Sequence, residues 1–145
     1  MEHRMSDSQQ AFPYADFLDQ FEEAIYWHIA WYSRGIRHLM FGDGAGDDLV
    51  GKDAHSHCRL GSFLSRFPTP PGCEDLLVQV DELHEQMHAL MRNALLEARN
   101  GTPLGEDAFG EIEEVHSLFF NSLHGLFRKL SEDRCMDIAG AKSGC

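Results

Sequence analysis

Two histidines four residues apart, His84 and His88, lie in the middle of the longest uninterrupted helical pattern, within Leu83-His84-Glu85-Gln86-Met87-His88. At 3.6 residues per turn they share one helix face, and their imidazoles converge on one point. Leu77, Val80, Met91 and Leu95 continue that face, which turns both rings toward the inside of a bundle. A buried imidazole needs a hydrogen-bond partner, a shared proton or a metal, because leaving it unpaired costs roughly 1–3 kcal/mol. The pair alone fits a structural role as well as a metal site, and its surroundings must decide.

The rest of the chain reads as helices joined by turns. From Pro13, Phe17, Phe21, Ala24, Ile25, His28, Tyr32, Ile36 and Leu39 trace an apolar face that carries a third inward histidine, flanked by Trp27 and Trp31. The glycine- and aspartate-rich run from Phe41 to Lys52 predicts a loop, but it lacks the regular oxygen ligands and closing glutamate of a calcium hand. A short helix is expected from Asp53 through Cys58 to about Phe67, before Pro68, Pro70 and Pro71. Gly61 inside so short a helix hints at close packing beside Cys58.

A third helix is expected from about Gly72 to Arg99, stopped by Asn100-Gly101-Thr102-Pro103. A fourth begins near Gly105-Glu106-Asp107 and presents Phe109, Ile112, His116, Phe119, Leu123, Phe127 and Leu130 inward. No stretch alternates as a strand would. The pattern therefore predicts an all-α fold, a four-helix bundle with a short helix carrying a cysteine. It spans residues 13–133, between a disordered tail at 1–12 and a flexible tail at 134–145.

Composition narrows the function. With 24 acidic against 12 basic residues and a net charge of −12, the chain offers no basic cluster for phosphates, so a nucleic-acid partner is not expected. No apolar run reaches the length of a membrane span, and the polar start does not read as a signal peptide; a cytoplasmic location is expected. The four cysteines, Cys58, Cys73, Cys135 and Cys145, form no CxxC pair and read as free thiols or ligands.

Four residues stand out as one site: His28, Cys58, His84 and His88. Three imidazoles and one thiolate match a tetrahedral zinc ion, which is borderline soft and has no ligand-field preference. A thiolate argues against magnesium and calcium. Four protein donors leave no position for a substrate water, which disfavours a hydrolytic enzyme and favours a structural or sensing role.

His28-Ile29-Ala30-Trp31, Cys58-Arg59-Leu60-Gly61-Ser62-Phe63 and His84-Glu85-Gln86-Met87-His88 together resemble, in order and separation, the three signatures of the chemoreceptor zinc-binding (CZB) domain. These read H-x-x-W, C-x-[LF]-G-x-W and H-x-x-x-H. The resemblance covers about residues 14–130 and is strongest to the regulatory domain of a zinc-regulated diguanylate cyclase. It implies Zn2+ held by His28, Cys58, His84 and His88 in a homodimeric helical bundle. It further implies a partner output such as a diguanylate cyclase or chemoreceptor, and sensing of oxidants such as hypochlorous acid through the cysteine ligand. Phe63 stands where the family usually has Trp. No catalytic domain follows the tail from Arg134, so the chain is expected to act through a partner or to be a piece of a longer protein.

The remaining histidines and cysteines have blander readings. On a helix at most His55 of the pair flanking Cys58 could approach the site, and His57 is expected to face solvent. His116 reads as a satisfied core histidine or one that backs a ligand, His38 and His124 as surface or interface, and Cys73 and Cys135 as ordinary thiols. Rival readings are a hemerythrin-like di-iron bundle, for which Glu113-Glu114-Val115-His116 supplies only one fragment, and a purely structural zinc-stabilised dimerisation module.

Overall fold

Heptad spacing of apolar residues builds three long helices and sets how they meet. The computed structural model describes residues 12–41, 58–102 and 104–141. They form α1 (Tyr14–Phe41), α2 (Arg59–Arg66), α3 (Glu74–Arg99) and α4 (Glu106–Ala141), with no strand among the described residues. On α1 the buried positions Phe17, Phe21, Ala24, His28, Trp31 and Gly35 alternate steps of four and three. Val80, His84, Met87, Met91 and Ala94 do the same on α3. Such a seam packs helices nearly parallel or antiparallel, side chain into gap, and the result is an all-α bundle.

The core falls into two apolar clusters. The first gathers Phe17, Phe21, Leu60, Phe63, Val80, Phe119, Leu126 and Leu130. The second gathers Trp31, Met87, Met91, Leu95, Ile112 and Val115. Residue numbers rise from the first cluster to the second along α1 and α3 and fall along α4. Thus α1 and α3 run parallel, with α4 antiparallel to both. Each large side chain so buried contributes roughly 1.5–3 kcal/mol.

The helix ends follow local chemistry. Glu74 and Asp75 open α3, and Glu106 and Asp107 open α4, where carboxylates complement the positive end of the helix dipole. At the end of α3 the Thr102 N–H donates to the Glu97 carbonyl at 2.9 Å and the Gly101 N–H to that of Ala98 at 3.0 Å. Gly101 sits at φ +88°, the left-handed conformation that this closing turn requires.

The structure corrects several expectations. Phe12 belongs to the bundle and not to a disordered tail, because its ring packs against Tyr14, Phe17 and Phe67 and closes the end of the first cluster. The remainder of the expected N-terminal tail, the acidic loop and the start of the short helix at Asp53 lie outside the described residues. Helix α4 continues past Asp133 to Ala141 through residues expected to form a flexible tail, since no proline or glycine interrupts it before Gly140. Within that extension Cys135 is disulfide-bonded rather than an ordinary thiol. Phe127 is exposed although its ring meets Phe21, and Leu126 fills the core position instead. No described helix is long and apolar enough to cross a membrane.

Gly35 gives a side chain of α3 room against the α1 backbone. A Cβ there would stand 2.6 Å from Sδ of Met91, whose side chain is fully buried. Gly35→Leu is expected to destabilise the fold by about 1–3 kcal/mol through overpacking. Gly110→Ala, on α4 with open space around it, is expected to stabilise by about 0.5–1 kcal/mol. Denaturant melts of the two variants check the opposite signs.

Candidate metal centre

Between the two apolar clusters lies a layer of polar rings. His28 comes from the middle of α1, and His84 and His88 from the middle of α3, each at a buried position of its helix. Their exposures are 0 %, 0 % and 4 %. Cys58 arrives differently from the expectation that it lies within a helix. It is the N-cap of α2, in extended backbone at φ −67° and ψ 145°, and the helix begins one residue later at Arg59. Leu60 and Phe63 anchor α2 in the first cluster, which holds its N-terminus beside the histidines.

One ring nitrogen from each histidine and the Cys58 sulfur all lie within 4.8 Å of one another. Nε2 of His84 and Nε2 of His88 are 3.1 Å apart. Nitrogen donors of a tetrahedral zinc ion with bonds of 2.0–2.1 Å stand about 3.3 Å apart, so the α3 pair is already at ligand spacing. Both ring nitrogens of His28 are buried without a hydrogen-bond partner. A shared metal ion would satisfy one of them. The donor set therefore fits a metal ion, and all four residues expected from the sequence are brought together.

Aromatic rings wall the cluster. Trp31 stacks on His88 at 3.9 Å between centroids. Phe119, fully buried on α4, packs against His28 at 4.7 Å and His84 at 5.7 Å. The expected pair of flanking tryptophans is thus only half realised. Trp27 is 41 % exposed and lies outside the site, under the Arg59 guanidinium at 4.4 Å. Phe119 was recognisable only as an apolar seam residue, since nothing in its spacing distinguishes a residue that walls a polar cluster from one in a plain core.

Burial sets the protonation of the donors. Removal from water, together with nearby His84, His88 and His116, lowers His28 from 6.5 to about 2. The ring is neutral and offers a lone pair. Burial also pushes the Cys58 thiol up, opposed in part by the N–H groups of Gly61 and Leu60, although its side chain makes no capping hydrogen bond. Burial thus favours the protonated thiol, and a bound cation would favour the thiolate.

Sequence reasoning also singled out residues that do not join the cluster. His116 reaches its edge, with its ring 5.9 Å from that of His28 and its Nε2 buried without a partner, so it is not the satisfied histidine expected. His124 is on the surface beside Arg128. His38 is half-buried, and His55 and His57 lie outside the described residues. Among the described residues no carboxylate joins the cluster. Comparison of the chain with protein-family models, curated proteins and solved structures gave no match.

Because the folded His28 takes up a proton only near pH 2 and the unfolded one near 6.5, the unfolded state binds more protons throughout that interval. Stability of the metal-free protein is full above about 6.5 and is lost as the pH falls below it, at about 1.4 kcal/mol per pH unit from this residue. Urea melts of metal-free wild type and His28→Phe at several pH values are expected to show a shallower acid loss in the variant. Equal slopes would show that His28 is not the group responsible.

Proposed function

We propose that this chain is a zinc-binding regulatory domain, with His28, Cys58, His84 and His88 as the four ligands. The observation that carries the reading is the convergence of these side chains inside the core, with His28 buried and unpartnered. A residue so placed destabilises the fold unless something binds it. One thiolate beside three imidazoles selects a borderline ion such as Zn2+ over the hard cations. Among the described residues the donor set holds no carboxylate, whereas the hemerythrin-like alternative depends on bridging acids.

Bound zinc supplies a cross-link of four protein donors with no open position, which supports a regulatory role rather than catalysis. The residues around it divide the work. His84 and His88 hold their spacing through the α3 backbone, while Trp31 and Phe119 exclude water. His28 ties α1 to α3. Cys58 ties the N-terminus of α2 to both, and α2 is only eight residues long. An isolated helix of that length is unstable, so its position depends on Leu60, Phe63 and the Cys58 attachment.

Loss or oxidation of the Cys58 thiolate removes one of those three ties and loosens α2 against α1. That is how metal occupancy or an oxidant would become a change at the surface. The motif resemblance to the CZB domain supports a cytoplasmic homodimer that governs a signalling output, such as cyclic-di-GMP synthesis or chemotaxis. Exposed Tyr26, Trp27 and Ile29 on α1 are compatible with a partner surface.

Elemental analysis of the purified chain is expected to give one zinc per chain. Cys58→Ala and His88→Ala should each weaken the affinity roughly 100-fold or more, read by competition with a chelator. Two irons per chain, or unchanged zinc affinity in both variants, would overturn the assignment. Because the Cys58 thiol must lose its proton to bind, zinc uptake should release at least one proton, and affinity should fall as pH is lowered.

A further inference from the structure

The four donors do not account for His116. Its imidazole projects from α4 to the rim of the cluster, stacked on Tyr32 at 3.6 Å with only 5° between planes and met edge-on by Phe120 at 4.6 Å. It also lies nearly parallel to His28, at 5.9 Å and 18°. Its Nε2 is buried and has no hydrogen-bond partner. The residue as a whole is partly exposed, whereas His28 behind it is fully buried. An unsatisfied ring nitrogen thus belongs to a partly exposed residue whose ring lies against that of a fully buried donor.

A metal ion enclosed by four protein ligands has a kinetic difficulty. Each bond must break before the ion leaves, unless an incoming ligand first occupies a fifth position, which zinc accepts. A neutral imidazole one ring away from a ligand is suited to that role. It is too far to be a resident donor, since it lies outside the group whose ligand atoms approach within 4.8 Å. Its ring lies 5.9 Å from that of His28, so a change of side-chain rotamer that gives up the Tyr32 stack is the movement that would bring the two histidines to one ion.

We infer that His116 is a transfer ligand, a side chain that takes the metal from solvent, hands it to His28 and receives it back on release. The inference rests on the metal-site reading above and extends it to a route along the α1–α4 face. The competing role is plain packing. A packing residue acts as a plug, and its truncation opens the path and speeds exchange. Removal of a transfer ligand slows exchange in both directions and leaves the equilibrium unchanged.

The test is stopped-flow transfer of zinc between the full chain and a chromogenic chelator, with equilibrium competition run in parallel. His116→Ala, His116→Leu, His116→Gln and His116→Cys are compared with wild type, and far-ultraviolet circular dichroism with thermal melts verifies the fold of each. Uptake and release are expected to slow about tenfold in the Leu and Ala variants, a barrier change of about 1.4 kcal/mol, at constant affinity. The Cys variant, which restores a donor, should recover most of the rate. If the Ala variant loses its helix content, the Leu and Gln variants carry the comparison.

Unchanged or faster exchange without the imidazole would overturn the inference, as would a loss of affinity that matches the change in release rate. Wild-type protein that binds no zinc at equilibrium would overturn the metal reading as well. Bound zinc whose exchange ignores His116 would overturn this inference alone.

Discussion

Burial of the His28 imidazole without a hydrogen-bond partner is the constraint on which the rest of the structure depends. An apolar residue at that seam position would let the core run unbroken from Phe17 to Leu95. The chain places there a ring that costs roughly 1–3 kcal/mol if left unpaired. Around it stand His84, His88 and Cys58, the side chains that can resolve the cost by sharing one ion. The division of the core into two apolar clusters follows, because the polar layer separates Phe119 and its neighbours from Met87 and Met91.

The two kinds of attachment at this layer differ in stiffness. His84 and His88 are fixed to each other by one turn of a long, well-packed helix. His28 is fixed to α3 by the parallel packing of α1, which two turns further on admits Met91 against Gly35. Cys58 is held only by the start of a short helix, and its burial disfavours the thiolate that a cation would stabilise. The proposed metal would thus be gripped firmly from one side and weakly from the other. That asymmetry makes Cys58 the ligand through which chemistry at the site would reach the outside of the bundle.

The seam pattern made the fold legible. Residues such as Phe17, Phe21, Val80, Met91, Ile112 and Leu130 are buried where the spacing places them, because a helix face is a local property of sequence periodicity. The turn after α3 was equally readable, since Asn100-Gly101-Thr102 encodes its own closing hydrogen bonds. Position at the ends was harder to read. Whether Phe12 covers the core, or α4 runs on to Ala141, depends on what lies nearby in space and not on adjacent residues.

The sequence by itself determined an all-α chain with inward histidines on two helices and a cysteine able to complete a donor set, because periodicity and residue chemistry are local quantities. Only the tertiary structure decided that the four donors meet within one ion's reach, that Cys58 arrives as a helix cap, and that Trp31 lines the site while Trp27 lies outside it. It also decided that His116 carries an unpartnered nitrogen at the rim. Convergence of residues from separate helices depends on how far each helix is rotated and shifted when it packs. That rotation is fixed by the sum of many core contacts, which no short stretch of the chain contains.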